Sequence, residues 1–547
     1  QWMNTQNIAL KQQAHDGFQQ VLTYAQTYGE NWLKREAFVG LGQFFENVDL
    51  AKSISYFRLA FDIDEVIRQT LTVEELKAGF YSQYNDLAPR LVRLSVYQNR
   101  PWQALGEIWR AKGSALLDLL EARQDRTLSS IEEDAELKSA IESVRIKLAT
   151  RRYGLIQAAQ NQPENLEEGR NTGIRQLEQE LVDLRRKRNH LHNKLTGSRL
   201  QNPADLIARL QVDYLIEYMV CVEEILAILI DCRAEIDESN QARRCRTVWL
   251  GRREQIMDLL DELHLVIQNV LLRSAAQRIQ SATKWDDECK PILLQCYEKL
   301  MAPFHEIHDG AHVLIAPCEH LHLLPFTAFW DGKQYLTERF HLELTPTAAL
   351  FAVPPPVSAT SPPLVIAASA SGNLAAVHQE VAAIQSNFPD AFCQLDDPQS
   401  VTYLQNMATP PRVLHIAAHT ILREDTPLFT AFQFADNLLS IEQCYELPLQ
   451  GTELVVLSGC KTISNIESDG TLLAFQSTFF IAGAQRLITS LWPVDDQITA
   501  YFMARFYRLL AQGTSVPEAL RSTQISLIAD PSLAHPALWA GFTCYRR

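Results

Sequence analysis

The spacing of hydrophobic positions changes near residue 285. Before it, apolar residues recur every three or four positions through long stretches with few prolines, the period of amphipathic helices. After it, short apolar runs alternate with helical stretches and are bounded by Gly, Pro, Asn and Asp, the pattern of strand–helix–strand units. Two runs are apolar on both faces and end in chemically competent residues. One is Arg412-Val413-Leu414-His415-Ile416-Ala417-Ala418-His419; the other is Thr452-Glu453-Leu454-Val455-Val456-Leu457-Ser458-Gly459-Cys460. Such runs suit interior strands of a parallel sheet. If they are neighbours, His419 and Cys460 emerge together at the carboxyl edge, where open α/β sheets place their chemistry.

The first 130 residues predict TPR-like helical repeats. Leu41, Gly42 and Phe45 fall on a first helix, and Ser53, Phe57 and Ala60 on a second. A small residue, a large one four later and a small one three later let paired helices approach closely while the large side chain fills the groove. The pattern recurs as Ala104, Ile108 and Ala111, but 51 residues on instead of the 34 of a regular tetratricopeptide array. Two helical hairpins without repeat function remain the alternative. Residues 131–284 read as long helices. Leu177, Leu181, Leu184, Arg188, Leu191 and Leu195 form a heptad-like seam that stops at Thr196-Gly197-Ser198. Residues Leu206 to Ile230 read as the second arm of a helical hairpin. The apolar segment Tyr214 to Cys232 reads as an amphipathic helix because Glu217, Glu223, Glu224 and Asp231 fall on one side. The basic cluster Arg185-Arg186-Lys187-Arg188 reads as a solvated helix face, since no aromatic platform for RNA accompanies it.

In the second half, Val313–Ala316 and Phe340–Leu344 predict strands around a turn at Asp331-Gly332. Val353 to Pro363, with five prolines, reads as a linker. Beyond it, strands are expected at Leu364–Ser369, Ala391–Leu395, 412–419, 453–460, Arg486–Trp492 and Leu538–Tyr545. Helices are expected at Ala375–Ser386, Val401–Met407, Gly470–Ala482, Asp496–Ala511 and Ser515–Ile528.

Composition narrows the chemistry. The 547 residues suffice for three or four domains, and 47% hydrophobic with 21% charged residues is an ordinary globular balance. A net charge of −15 argues against direct DNA binding, favours basic protein substrates mildly and otherwise serves solubility. No segment reads as membrane-spanning. Ten scattered cysteines form no C-x-x-C pair and no zinc-spaced set, which fits free thiols in a reducing cytoplasm. No Gly-rich phosphate loop is present and no cofactor is expected. The first residue is Gln1, so the sequence is expected to be part of a longer chain.

A thiol beside an imidazole is the minimum equipment of a cysteine hydrolase. His415, four residues before His419, would lie about 13 Å from it along a strand, so it reads as structural and not as a second metal ligand. His320 and His322 read as locally packed, Cys444 as core, and Ser458 as either orienting the site or bonding locally.

At this point the residues resemble a family. The stretches Leu321-His322-Leu323-Leu324-Pro325-Phe326, Leu457-Ser458-Gly459-Cys460, Ala482-Gly483-Ala484, Ser490-Leu491-Trp492-Pro493-Val494-Asp495-Asp496 and His535-Pro536-Ala537-Leu538-Trp539-Ala540-Gly541-Phe542 resemble those of the CHAT domain. That domain is a caspase-like cysteine peptidase module of the caspase and separase clan, found with TPR repeats. The resemblance implies an α/β caspase-like sheet between helices. Residues 285–355 would be its non-catalytic part and 364–547 its catalytic part, behind an all-α, TPR-like N-terminal half. It implies that His419 and Cys460 are the catalytic dyad. Backbone N–H groups at Cys460 and just after His419, at Thr420, would hold the oxyanion. Two positions depart from the family: Thr420 replaces a glycine and Lys461 an acidic residue.

Relatives cut after a basic residue, so an acidic S1 group is sought. Asp469, nine residues after Cys460, ranks first, and Asp495 and Asp496 second; the alternative for that pair is an N-cap of the following helix. The reading is a cytoplasmic cysteine endopeptidase that cuts a protein substrate after Arg or Lys. A partner at the helical half, activating or inhibiting, would gate it; an RNA-guided effector complex is one candidate, and bacterial defence or regulatory signalling the setting. The other reading is a catalytically silent caspase-like scaffold with TPR-mediated interactions.

Overall fold

The computed structural model describes residues 8–28, 30–70, 87–126, 203–233, 241–273, 282–368, 374–421, 430–434, 437–458 and 477–547, with scattered positions between 136 and 184. Cys460, Lys461 and Asp469 lie outside the described residues, as does most of the heptad seam. Within that seam Leu177 and Leu184 are helical.

The N-terminal region is helical. Helices Asn31–Phe45 and Leu50–Thr70 pair through the small–large–small pattern read from the sequence. Ser53 Oγ donates to the Gly42 carbonyl at 2.7 Å, and a Cβ on Gly42 would stand 2.7 Å from the Phe57 ring, so only glycine permits this approach. Ser53, Phe57 and Ala60 are all fully buried. A second hairpin, Leu87–Tyr97 with Pro101–Arg126, buries Ala104, Ile108 and Ala111 in the same way. Ion pairs tie the two hairpins together: Arg110 reaches Asp62 at 2.6 Å and Glu65 at 2.8 Å, and Arg58 reaches Glu107 at 2.9 Å.

The expected helix over Tyr214–Cys232 is replaced by two strands. Strand β1, Tyr214–Cys221, and strand β2, Glu224–Asp231, form an antiparallel hairpin, so Leu206 to Ile230 is not a helical arm; only Pro203–Leu210 is helical there. The turn Val222-Glu223 carries no Gly or Asn, although Val222 sits at φ +67°, where β-branched residues are rare. Strand β3, Cys245–Arg252, continues the ladder.

The remaining strands are β4 His312–Ala316, β5 His341–Leu344, β6 Leu364–Ala367, β7 Phe392–Leu395, β8 Val413–Ala417, β9 His419–Ile421, β10 Ala431–Phe434, β11 Asn437–Ser440, β12 Leu454–Ser458, β13 Arg486–Ser490 and β14 Phe542–Arg546. Eleven strands make one sheet in the order β3-β2-β1-β4-β5-β14-β13-β12-β8-β6-β7. The small sheet β11-β10-β9 stands apart from it. From β7 to β13 the strands are parallel, with β14 antiparallel to β13. Helices Leu374–Asn387 and Asp496–Ala511 pack together, and Val516–Ile528 lies against Asp496–Ala511 and β5. The proline-rich segment is an ordered strap: Ala359 N donates to the Gly451 carbonyl at 2.7 Å. At Gly451, with φ +88°, any Cβ would collide with the Val357 carbonyl.

Candidate functional site

The sheet offers two sets of parallel carboxyl ends. At the first, β1 and β4, Lys112 from helix Pro101–Arg126 fills the edge. Its Nζ donates to Glu217 Oε1 at 2.6 Å and to the carbonyls of Pro317 at 2.8 Å and Ala316 at 3.2 Å. Trp109 Nε1 donates to Glu217 Oε2 at 3.0 Å. Cys318 and His322 follow β4, but burial pushes the thiol well up. Burial and the Lys112 charge push the imidazole down to about 3. Burial thus favours the protonated thiol and the neutral imidazole at this edge.

The second set is open to chemistry. Strands β8 and β12 are parallel neighbours, with Val413 opposite Leu454 and Ala417 opposite Ser458. Strand order reverses between β6 and β8, the position at which doubly wound sheets form a crevice beyond the carboxyl ends. The strand expected to end at His419 ends at Ala417. The chain then leaves the main sheet, and His419 opens β9, half-buried and opposite Gln433 of β10. Thr420 lies opposite Phe432. Outside glycine, positive φ among the described residues occurs at Asn99, Gln211, Val222, Glu319 and Asp396, and not at Thr420. A β-branched residue suits that strand conformation.

Asp495 is the N-cap of helix Asp496–Ala511: its carboxylate accepts from Gln497 N at 3.0 Å and from Ile498 N at 3.4 Å. Asp496, the first residue of that helix, is exposed. The other motif residues shape the loops beside β13 and β14. Trp492 Nε1 donates to the Ala537 carbonyl at 2.8 Å, Leu491 N donates to the Gly541 carbonyl at 2.9 Å, and His535 Nδ1 accepts from Ala537 N at 3.0 Å. Helix Asp496–Ala511 and strand β8 meet at His415, whose Nδ1 lies 2.9 Å from Tyr507 Oη. His415 reads from the sequence as structural and Ser458 as either orienting the site or bonding locally; the structure puts Ser458 Oγ 3.2 Å from His415 Nε2.

Nine described cysteines are free, seven buried and two half-buried. Burial pushes the thiols of Cys221, Cys232, Cys245 and Cys296 to about 12 and raises those of Cys318, Cys393, Cys444 and Cys544 as well. These eight are poor nucleophiles at neutral pH. Among the described residues, no group of three His, Cys, Asp or Glu is placed to hold a metal, and no helix is long and apolar enough to cross a membrane.

The described residues combine a helical N-terminal region with a mixed sheet between helices. Residues 290–547 match the model of the CHAT domain. The CHAT domain is caspase-like and related to cysteine peptidases. Over 105 residues the chain is 31% identical to Tetratricopeptide repeat protein 28 of Homo sapiens, a stretch that is 19% of this chain and 4% of that protein. Over 117 residues it is 33% identical to Tetratricopeptide repeat protein 28 of Mus musculus, covering 21% of this chain and 4% of that protein. The chain thus matches only a small part of the length of these relatives. The crystal structure of the Saccharomyces cerevisiae separase–securin complex is similar with a TM-score of 0.37 and 10% identity, over 98% of this chain and 47% of that one.

Proposed function

We propose that the chain is a cysteine endopeptidase. The observation that supports this most is the pairing of β8 with β12, whose ends lie level at Ala417 and Ser458, with His419 and Cys460 each two residues further along the chain. In this reading Cys460 attacks the scissile carbonyl and His419 takes its proton, then returns it to the leaving amine. The backbone N–H groups of Thr420 and Cys460 hold the oxyanion; losing one such donor costs about 3 kcal/mol in the transition state. Asp469 selects Arg or Lys at P1. Asp496 is the second choice, because the Asp495 carboxylate already caps a helix.

A partner bound to the helical region gates the site. An RNA-guided effector complex is one candidate partner, and a cytoplasmic role in bacterial defence or regulatory signalling is the setting. The alternative, a catalytically silent scaffold, is favoured by Thr420 and Lys461 in place of the family's residues. The strand conformation of Thr420 weakens it, because no glycine-only φ is used there.

Co-purification with Cys460→Ala from the native cell is expected to retain an intact protein that the wild type cuts. Equal cutting by the alanine variant rejects the assignment. Asp469→Ala is expected to abolish cleavage of Arg-P1 peptides; unchanged rates move the S1 role to Asp496. Full peptide cleavage without any partner rejects the gating.

A further inference from the structure

Strand β8 carries a second histidine that this reaction does not use. His415 is fully buried, with Val365 of β6 and Val456 of β12 as its strand neighbours. Its Nδ1 lies 2.9 Å from Tyr507 Oη on helix Asp496–Ala511. Its Nε2 lies 3.2 Å from Ser458 Oγ and 3.2 Å from Glu380 Oε1 on helix Leu374–Asn387. Ser458, Tyr507 and Glu380 are buried as well. Through its hydrogen bonds one imidazole thus joins both central strands to helix Asp496–Ala511, and it lies beside Glu380 of helix Leu374–Asn387, whose Oε1 makes no hydrogen bond. Ser458 is the last residue of β12, two residues before Cys460.

We propose that His415 is a positioning residue for the proposed peptidase, acting through Ser458 to fix the end of β12 from which Cys460 follows. The role rests on the peptidase reading. A polar network costs stability in a core that apolar residues of similar volume could fill. What such a network adds is direction: hydrogen bonds accept one arrangement of the two strand ends, whereas apolar packing tolerates several. A nucleophile must be held to a fraction of an ångström, so a small shift of β12 is felt as lost rate.

Two isosteres separate this role from simple core filling. Glutamine keeps an amide near the Nε2 position, facing Ser458 and Glu380. Asparagine keeps one near Nδ1, facing Tyr507. Iodoacetamide alkylation at Cys460, followed by peptide-resolved mass spectrometry at pH 7, reads the position of the thiol without requiring turnover. Cleavage of an Arg-P1 peptide reads kcat and KM. We expect His415→Asn and Ser458→Ala to slow Cys460 alkylation about tenfold and to lower kcat alike with KM within about twofold, the effect of losing one buried hydrogen bond. His415→Gln should stay within about threefold of wild type. Equal alkylation by the Gln and Asn variants, measured where both are folded, overturns the proposal, as does wild-type behaviour of Ser458→Ala. If the wild type, assayed together with the proteins that co-purify with it, cuts no peptide while the alkylation order holds, the peptidase reading fails and the positioning of Cys460 stands. If the wild type cuts and alkylation does not respond, the positioning fails alone.

Discussion

Glu343 shows what one residue does at the seam between the two halves of the sheet. It lies on β5, fully buried, and receives His312 Nε2 at 2.8 Å from β4, Arg486 Nε at 2.9 Å from β13 and Arg546 Nη1 at 3.4 Å from β14. Burial alone would raise its carboxyl, but the His312 hydrogen bond and the Arg486 and Arg546 charges outweigh burial and hold it down at about 2, below the ordinary 4.5. A carboxyl depressed in the folded state stabilises the fold above about pH 4.5 and loses that contribution as pH falls toward 2. Glu343→Gln leaves two half-buried arginines without this counter-charge. It should lower stability by about 3 kcal/mol at pH 7, with the deficit shrinking below pH 4.5. Urea unfolding at pH 7 and pH 3 checks this, and equal stability of the two proteins at pH 7 contradicts it. This clamp was not legible in the sequence, because its four members lie on four strands and only the sheet order brings them together.

Helix Pro101–Arg126 fixes the helical region to the sheet. Gly113 lies so close to Ala349 that a Cβ on it would collide, and Lys112 and Trp109 reach Glu217 from the same helix. Glu217 is a fully buried carboxylate whose proton affinity burial raises. Lys112→Met should cost about 3–5 kcal/mol by leaving it unpaired. The loss should be larger at pH 8 than at pH 5, since a carboxyl raised in the folded state loses stability as pH rises. Adding Glu217→Gln should restore most of the loss while keeping an acceptor for Trp109. A double-mutant cycle in urea measures this, and additive losses contradict it. Elements with strong periodicity were legible: helix Asp496–Ala511 stands where the sequence placed it, and β8 and β12 fall within their expected runs, with β8 ending at Ala417 and not at His419. The β1–β2 hairpin was not legible, because Val222-Glu223 carries no turn residue and the spacing of its acidic residues mimics a helix face. Strands β9 to β11 are three or four residues long, too short for period-two alternation to register.

Across the whole molecule, one continuous sheet carries two unequal edges. The edge at β1 and β4 is filled by Lys112 from the helical region, and Glu343 clamps the strands between it and the edge at β8 and β12. Helix Pro101–Arg126 therefore contacts the same sheet whose strand β8 leads into His419. The strand–helix alternation of the second half was legible in the sequence; the way the helical region fills the edge at β1 and β4 depended on contacts between residues more than a hundred positions apart. The central claim is that Cys460 is activated by His419. The pH profile of iodoacetamide labelling at Cys460 tests it most directly. An ordinary thiol titrates near about 8.5. Labelling of Cys460 with an apparent pKa at least one unit lower, returning to about 8.5 in His419→Ala, is the predicted result. A profile at the ordinary thiol value that is unchanged by His419→Ala would contradict the account.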